Sequence, residues 1–411
     1  MSEIRRRGLK ALFITSAGWR EATTACMSDP SHPASVIDEA AFVSGAVELE
    51  GSFTAGVVAQ ALKWAREHDI VGVYAVGEMM VEQTGIVADA LGLRSPGLRA
   101  SRVCRSKYLQ RLYCPEWSPT TLIFPPGNRT SPIGEHPGWP AVLKPAGRRS
   151  SSGVRRVGSQ AELDKCLHGY PHEETLLLEG CVTGQEYSVE SLVQGGKVIF
   201  ESVTRKETNE SSSTSFVELA HTVPAPPSTT NDMLRAASAS ILERLDFADG
   251  IAHVELRATP EGRVYLMEIA ARTPGDGLLP LYHLATGAPM EPEIIRIALG
   301  EPATYPAPAR YARQVYLDHD PGILQDVKID WPGVSVEWTP EGELWPTPQP
   351  GAPDDGPALR SVQVLKSPGS AIHGLSESDD RAVTFLIDAR TPEELDALEQ
   401  QVQEAITLAI T

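Results

Sequence analysis

Ile251-Ala252-His253-Val254-Glu255-Leu256-Arg257-Ala258-Thr259-Pro260-Glu261-Gly262-Arg263-Val264-Tyr265-Leu266-Met267-Glu268-Ile269-Ala270-Ala271-Arg272 reads as two strands and the turn between them. Thr259 to Gly262 supplies the turn residues, so the segments on either side form an antiparallel pair. Each strand carries one acid among apolar neighbours, Glu255 in the first and Glu268 in the second. A carboxylate inside an apolar run is costly unless it is paired or bound to a metal. Two such acids on adjacent strands can converge on a hard cation that also takes phosphate oxygens. Arg272 offers the plainer alternative, a structural salt bridge.

Outward from this hairpin the chain alternates. Leu9–Thr15 reads as a buried strand, Ser52–His68 as a helix with Ser52 as N-cap, Ile70–Val76 as a second strand, and Val81–Leu91 as a helix stopped by Gly92. This predicts an open α/β domain over 1–95. A helical segment at Arg99–Leu112 precedes strands at Thr120–Phe124 and Pro140–Pro145, then a helix near Ser159–Leu167. Further strands are expected at Glu174–Glu179, Tyr187–Gln194 and Lys197–Val203, with a helix at Asn231–Leu245. The region 96–305 is therefore α+β, with a smaller subdomain at about 120–182. The tail, 306–411, has its own strands, a Pro/Gly-rich loop at Pro346–Pro357, and a last helix announced by Thr391-Pro392-Glu393-Glu394. No internal repeat is present.

The 411 residues are too many for one simple core. A net charge of −18 disfavours nucleic acid and anionic membrane as partners. The five cysteines (26, 104, 114, 166, 181) are scattered and contain no C-x-x-C pair, which disfavours a disulfide framework or zinc and fits reduced thiols in the cytoplasm. Arg5-Arg6-Arg7 resembles a twin-arginine signal. The apolar stretch after it is too short for one, so a first strand is the better reading. No segment has the apolar length of a membrane span.

Against the acidic background, Arg99 to Arg111 and Lys144 to Arg156 each hold five basic residues and no acid. Charge alone favours two solvated faces. The second window changes that balance, because a strand ending in Lys144 runs into Gly147-Arg148-Arg149-Ser150-Ser151-Ser152-Gly153. Small residues let backbone N–H groups approach phosphate, and serine hydroxyls add donors. The loop is neither a P-loop nor a dinucleotide fingerprint.

The ordered set of motifs resembles the ATP-grasp superfamily, and within it the dipeptide-forming L-amino-acid ligases of the bacilysin type. The set consists of Lys107, then Lys144 with its Ser/Gly loop, then Leu178-Glu179-Gly180-Cys181-Val182-x-Gly184-x-Glu186, and finally Glu255…Glu268…Arg272 with Pro274-Gly275 and Ala285-Thr286-Gly287. The resemblance covers most of the chain. It implies an ATP-grasp fold, α/β and α+β, with an N-terminal open α/β domain and a C-terminal α/β subdomain. Lys107, Lys144, Ser151 and Ser152 are then expected at ATP phosphates. Glu179 is expected beside the adenine amino group, Gly180 and Val182 at the ring, and Glu186 at the ribose. Glu255 and Glu268 are implied as Mg2+ ligands (Mn2+ being an alternative), with Arg272 at the transferred phosphoryl group. Many superfamily members carry asparagine two residues past the second metal acid, whereas this chain has Ala270, a departure the dipeptide ligases share.

The implied reaction joins a small-molecule carboxylate to an amine at the expense of ATP. Asp276, four residues past Arg272, is expected to meet a cationic substrate group. Arg205, Lys206 and the Ser211–Ser215 stretch are expected to form a lid over the second substrate. His253 and His283 read as structural. A homodimer is compatible with all of this. The rival assignments are an ATP-grasp phosphotransferase or carboxylase-type enzyme, and a non-catalytic nucleotide-binding module.

Overall fold

The computed structural model of the chain describes every residue except 1, 47, 48, 50, 212, 214 and 341–344. Near the N-terminus, strands β1 (Ala11–Ser16) and β2 (Ile37–Val43) pair in parallel. Helices Thr54–Glu67 and Val81–Leu91 bury Val57, Ala61 and Val87 against Val43. The second helix ends at Gly92 (φ +68°), whose left-handed backbone is strain-free only for glycine. Two expectations fail here. Ser52 does not cap its helix; its hydroxyl bonds the backbone of Ala46 instead. Ile70–Val76 joins no sheet and leaves Val71, Tyr74 and Val76 exposed, while β2 takes the place beside β1. The half-buried Ile37-Asp38-Glu39-Ala40 lacks the apolar alternation that marks a strand.

The expected helix over 99–112 is two short ones, Leu98–Val103 and Lys107–Tyr113. The break puts Lys107 at the first position of the second helix, its N–H donating to the Ala146 carbonyl at 3.1 Å. Strands β3 (Thr121–Phe124), β4 (Ile133–Gly134), β5 (Ala141–Pro145), β6 (Arg155–Val157) and β7 (Leu176–Gly180) follow. They form an antiparallel sheet of order β4-β3-β7-β5-β6. Helix Gln160–Leu167 packs Leu163 against it and is capped by Ser159. This is the small subdomain.

The remaining strands are β8 (Gln185–Gln194), β9 (Lys197–Thr208), β10 (Glu218–Val223), β11 (Gly250–Ala258), β12 (Val264–Ala270), β13 (Tyr311–Tyr316), β14 (Gly322–Ile329), β15 (Val336–Trp338), β16 (Ala358–Val364), β17 (Ala371–Ile372), β18 (Val383–Ala389) and β19 (Ile406–Ile410). Among the described residues, nine of them make one sheet of order β12-β11-β8-β9-β10-β13-β18-β16-β15. The sheet therefore runs through position 306 without interruption: β13 pairs with β10, and β18 continues from β13. The final helix, Pro392–Ala405, is capped by Thr391.

Alternation along β11 separates core from cleft. Val254 and Leu256 are fully buried with Leu234 and Ile241 of the helix Thr229–Arg244. The intervening His253, Glu255 and Arg257 line the opposite side, where a large cleft opens. Truncating Leu256→Ala should cost about 3 kcal/mol in chemical denaturation, the usual scale for a fully buried leucine. Leu112→Ala, at a residue 69% exposed, should stay within about 0.5 kcal/mol of wild type. Equal effects would contradict this assignment of the core.

Candidate active site

Glu255 and Glu268 are register partners across β11 and β12, so their side chains leave the hairpin on the same face. Immediately beyond them the register slips, pairing Leu256 with Leu266 and leaving Met267 as a bulge. Helix Lys107–Tyr113 holds this irregular edge. Gln110 donates to the Ile269 carbonyl and accepts from its N–H, both at 3.1 Å, as a neighbouring strand would. Arg111 donates to the bulged Met267 carbonyl at 2.7 Å. The helix is thereby fixed to the carboxylate pair, and Lys107 Nζ lies 2.9 Å from Glu268 and 2.8 Å from the Arg148 carbonyl.

The cleft between the small subdomain and the large sheet measures about 1080 Å³ and is open to solvent. Lys107, Lys144, Ser151, Ser152, Glu179, Gly180, Val182, Glu186, Glu255, Glu268 and Arg272 all line it. The Gly/Ser loop takes left-handed backbone at Ser150 and Ser151 (φ +57° and +56°), uncommon for non-glycine residues. Its Ser151 hydroxyl is spent on the Phe216 carbonyl at 3.0 Å.

Glu179 is more constrained than an acid simply facing adenine. Its carboxylate receives Arg111 at 2.5 and 3.2 Å and Lys144 at 2.6 Å. Burial alone would push it up, but the Arg111 guanidinium and Lys144 ammonium overcome this and hold it at about 2. Lys144 must share that carboxylate with Arg111, so burial prevails for the lysine and lowers it to about 8. Glu186, the expected ribose acid, is held by Arg257 at 2.7 and 3.0 Å. Arg272 donates through Nε to Glu78 at 2.7 Å and through Nη1 to the Thr273 carbonyl at 2.8 Å. Glu78 comes from the N-terminal domain, and no sequence signal had singled it out.

Two residues expected at the substrates are held by partners within the protein. Lys206 is not a lid residue: only 2% of its side chain is exposed, and its ammonium lies 2.5 Å from Glu255, where a buried cation finds its counter-charge. Asp276, expected at a cationic substrate group, is paired within the protein. Arg381 at 2.7 Å and His221 at 2.8 Å already balance its charge, and it adopts φ +53° outside the cleft lining. Of the expected lid stretch, residues 212 and 214 lie outside the described residues.

His253 has a role that its sequence context did not reveal. Its two ring nitrogens meet Glu190 at 2.8 Å and Glu255 at 3.1 Å. Glu190 also receives Ser188, Thr204 and Tyr282 at 2.6–2.7 Å. Burial disfavours the charged imidazole, but the hydrogen bonds to the two carboxylates prevail and raise its pKa.

Glu255 and Glu268 fit a hard divalent cation. Their donor atoms are all oxygen, and each side chain keeps 21% exposure at the cleft. Among the described residues no group of three His, Cys, Asp or Glu is arranged for a metal, so phosphate and water oxygens would complete the shell. Ala270 is buried and adds no ligand.

A cleft walled by a small antiparallel sheet and a larger one, with basic groups on one side and paired acids on the other, defines a nucleotide-grasping fold. Residues 138–279 match the ATP-grasp domain family. Across the whole chain the fold resembles that of L-amino acid ligase from Bacillus licheniformis (TM-score 0.75, 18% identity, 100% of this chain and 95% of that one). It is also similar to phosphoribosylglycinamide synthetase from Anaerococcus prevotii (TM-score 0.62, 13% identity, 98% and 99% covered). A third likeness is the biotin carboxylase domain of Hydrogenobacter thermophilus 2-oxoglutarate carboxylase, solved with MgADP and bicarbonate (TM-score 0.63, 14% identity, 100% and 87% covered). No curated protein matches the sequence. No helix among the described residues is long and apolar enough to cross a membrane.

Nucleotide binding should be linked to protons. Polyphosphate bound beside Lys144 would favour its charged form and so raise its pKa from about 8. ADP binding near pH 8 should therefore take up a fraction of a proton, and affinity should fall as pH rises further. Calorimetry in two buffers of different ionisation enthalpy measures this. Identical heats, with flat affinity between roughly pH 7 and 9, would contradict it.

Proposed function

We propose that the chain is an ATP-dependent carboxylate–amine ligase that joins an amino acid or a similar small carboxylate to an amine. The observation that carries this is the register pairing of Glu255 with Glu268 beneath a cleft also lined by Lys107, Lys144 and Arg272. Whole-chain likeness to an L-amino acid ligase supports it.

Mg2+, or Mn2+ in its place, held by Glu255 and Glu268, would neutralise phosphate charge and orient the γ-phosphoryl group. Lys107 and Lys144 add charge on the phosphate side, and Ser152 and the backbone of the Gly/Ser loop add donors. The backbone at Gly180 and Val182, in the same cleft lining, would contact the base, and Glu186 the ribose. Arg272, oriented by Glu78, would offset charge on the transferring phosphoryl group where the substrate carboxylate meets it. The carboxylate oxygen attacks phosphorus and ADP leaves; the amine then attacks the acyl carbon of the acyl phosphate, losing a proton as inorganic phosphate departs. No protein nucleophile is required. The substrates are small molecules of the kind joined in specialised-metabolite and antibiotic biosynthesis, handled in the cytoplasm, and the chain works as a monomer or homodimer.

Purified protein supplied with pairs of amino acids should release ADP only when carboxylate and amine are both present, with a product mass equal to their sum less water. ADP release that needs no amine, or that responds to bicarbonate alone, would replace this reading with a phosphotransferase or carboxylase. Glu268→Gln should lower turnover by about 100-fold or more while leaving the melting temperature nearly unchanged.

A further inference from the structure

Glu255 and Glu268 each carry a lysine, and the two lysines differ in kind. Lys107 lines the cleft, where phosphates could take over its charge. Lys206 does not line it, and its ammonium sits among three carboxylates: Glu255 at 2.5 Å, Glu186 at 3.7 Å and Glu218 at 3.7 Å. These are distances for an ammonium, not for magnesium, which needs oxygens at about 2.1 Å. Glu218 is itself anchored from the C-terminal region. Its carboxylate accepts from the Ser378 hydroxyl at 3.1 Å and lies 4.0 Å from Arg381.

We propose that Lys206 is a resident counter-cation for Glu255 that competes with the divalent metal. An ammonium and a dication on one carboxylate repel each other, so metal on Glu255 requires the ammonium to move toward its other partners. Glu186 and Glu218 stand close enough that a shift of about 1 Å turns either contact into a hydrogen bond. Glu218 is thus the acceptor that makes the exchange possible. Between visits of the nucleotide, Lys206 keeps Glu255 charge-balanced and aimed at Glu268. It is a positioning residue, and the inference rests on Glu255 as a metal ligand.

The two substitutions should act in opposite directions. Lys206→Met removes the competitor and keeps an unbranched side chain of similar length. Glu218→Gln removes an alternative partner and leaves the ammonium more firmly on Glu255. ADP affinity of the full chain is measured with and without Mg2+, and the ratio of the two is the readout. K206M should raise that ratio by about fivefold or more, the low end of ordinary site coupling, and E218Q should lower it. Ratios that stay unchanged, or that move in the same direction, would overturn the proposal. If K206M does not fold, E218Q decides alone: a lower ratio supports the exchange, and an unchanged or higher one refutes it. Glu255→Gln separates the two levels. If E255Q keeps the magnesium enhancement, Glu255 is no ligand and the underlying reading fails. If E255Q loses it while K206M and E218Q match wild type, only the role of Lys206 fails.

Discussion

Two carboxylates facing each other across one antiparallel pair are the constraint on which the rest of the structure depends. At a separation of roughly 5 Å and an effective dielectric near 20, two such charges repel by about 3 kcal/mol. The fold keeps them together by surrounding them with cations and donors. Lys107 takes Glu268, Lys206 takes Glu255, and His253 supports Glu255 from its other neighbour, Glu190. The elements that deliver these groups come from distant parts of the sequence, so the carboxylate pair also organises the tertiary structure around it.

The same logic extends to the cleft walls. Glu179 would be expensive to bury alone, yet Arg111 and Lys144 hold it ionised, and Arg111 also secures the bulge at Met267. Glu78 ties Arg272 to the N-terminal domain, and Asp276 ties Arg381 to the loop after β12. Buried ion pairs of this kind are weak sources of net stability. Their value here is geometric: each fixes a side chain that nucleotide or substrate would otherwise have to order.

Much of this was legible in the sequence where local chemistry is decisive. Acids inside apolar strand runs, the turn at Thr259–Gly262, the helix stop at Gly92 and the cap at Thr391 depend on neighbours a few residues away. Lys107 rested on family resemblance alone, although Gln110 and Arg111 beside it are what fix it to the edge of β12. The pairings of Lys206 and Asp276 are not legible, because their partners, Glu255 and Arg381, are 49 and 105 residues away. Charge pairing over such spans leaves no periodicity to read. Strand β2 was missed for a different reason: a half-buried strand with Asp38 and Glu39 does not alternate.

The most direct measurement is anomalous diffraction at the manganese edge from crystals grown with Mn2+ and ADP. A manganese peak is expected in the cleft within about 2.2 Å of a carboxylate oxygen from both Glu255 and Glu268, with diphosphate oxygens completing the shell. A peak bound by only one of the two acids, or one elsewhere in the cleft with the pair still held by lysines, would contradict it.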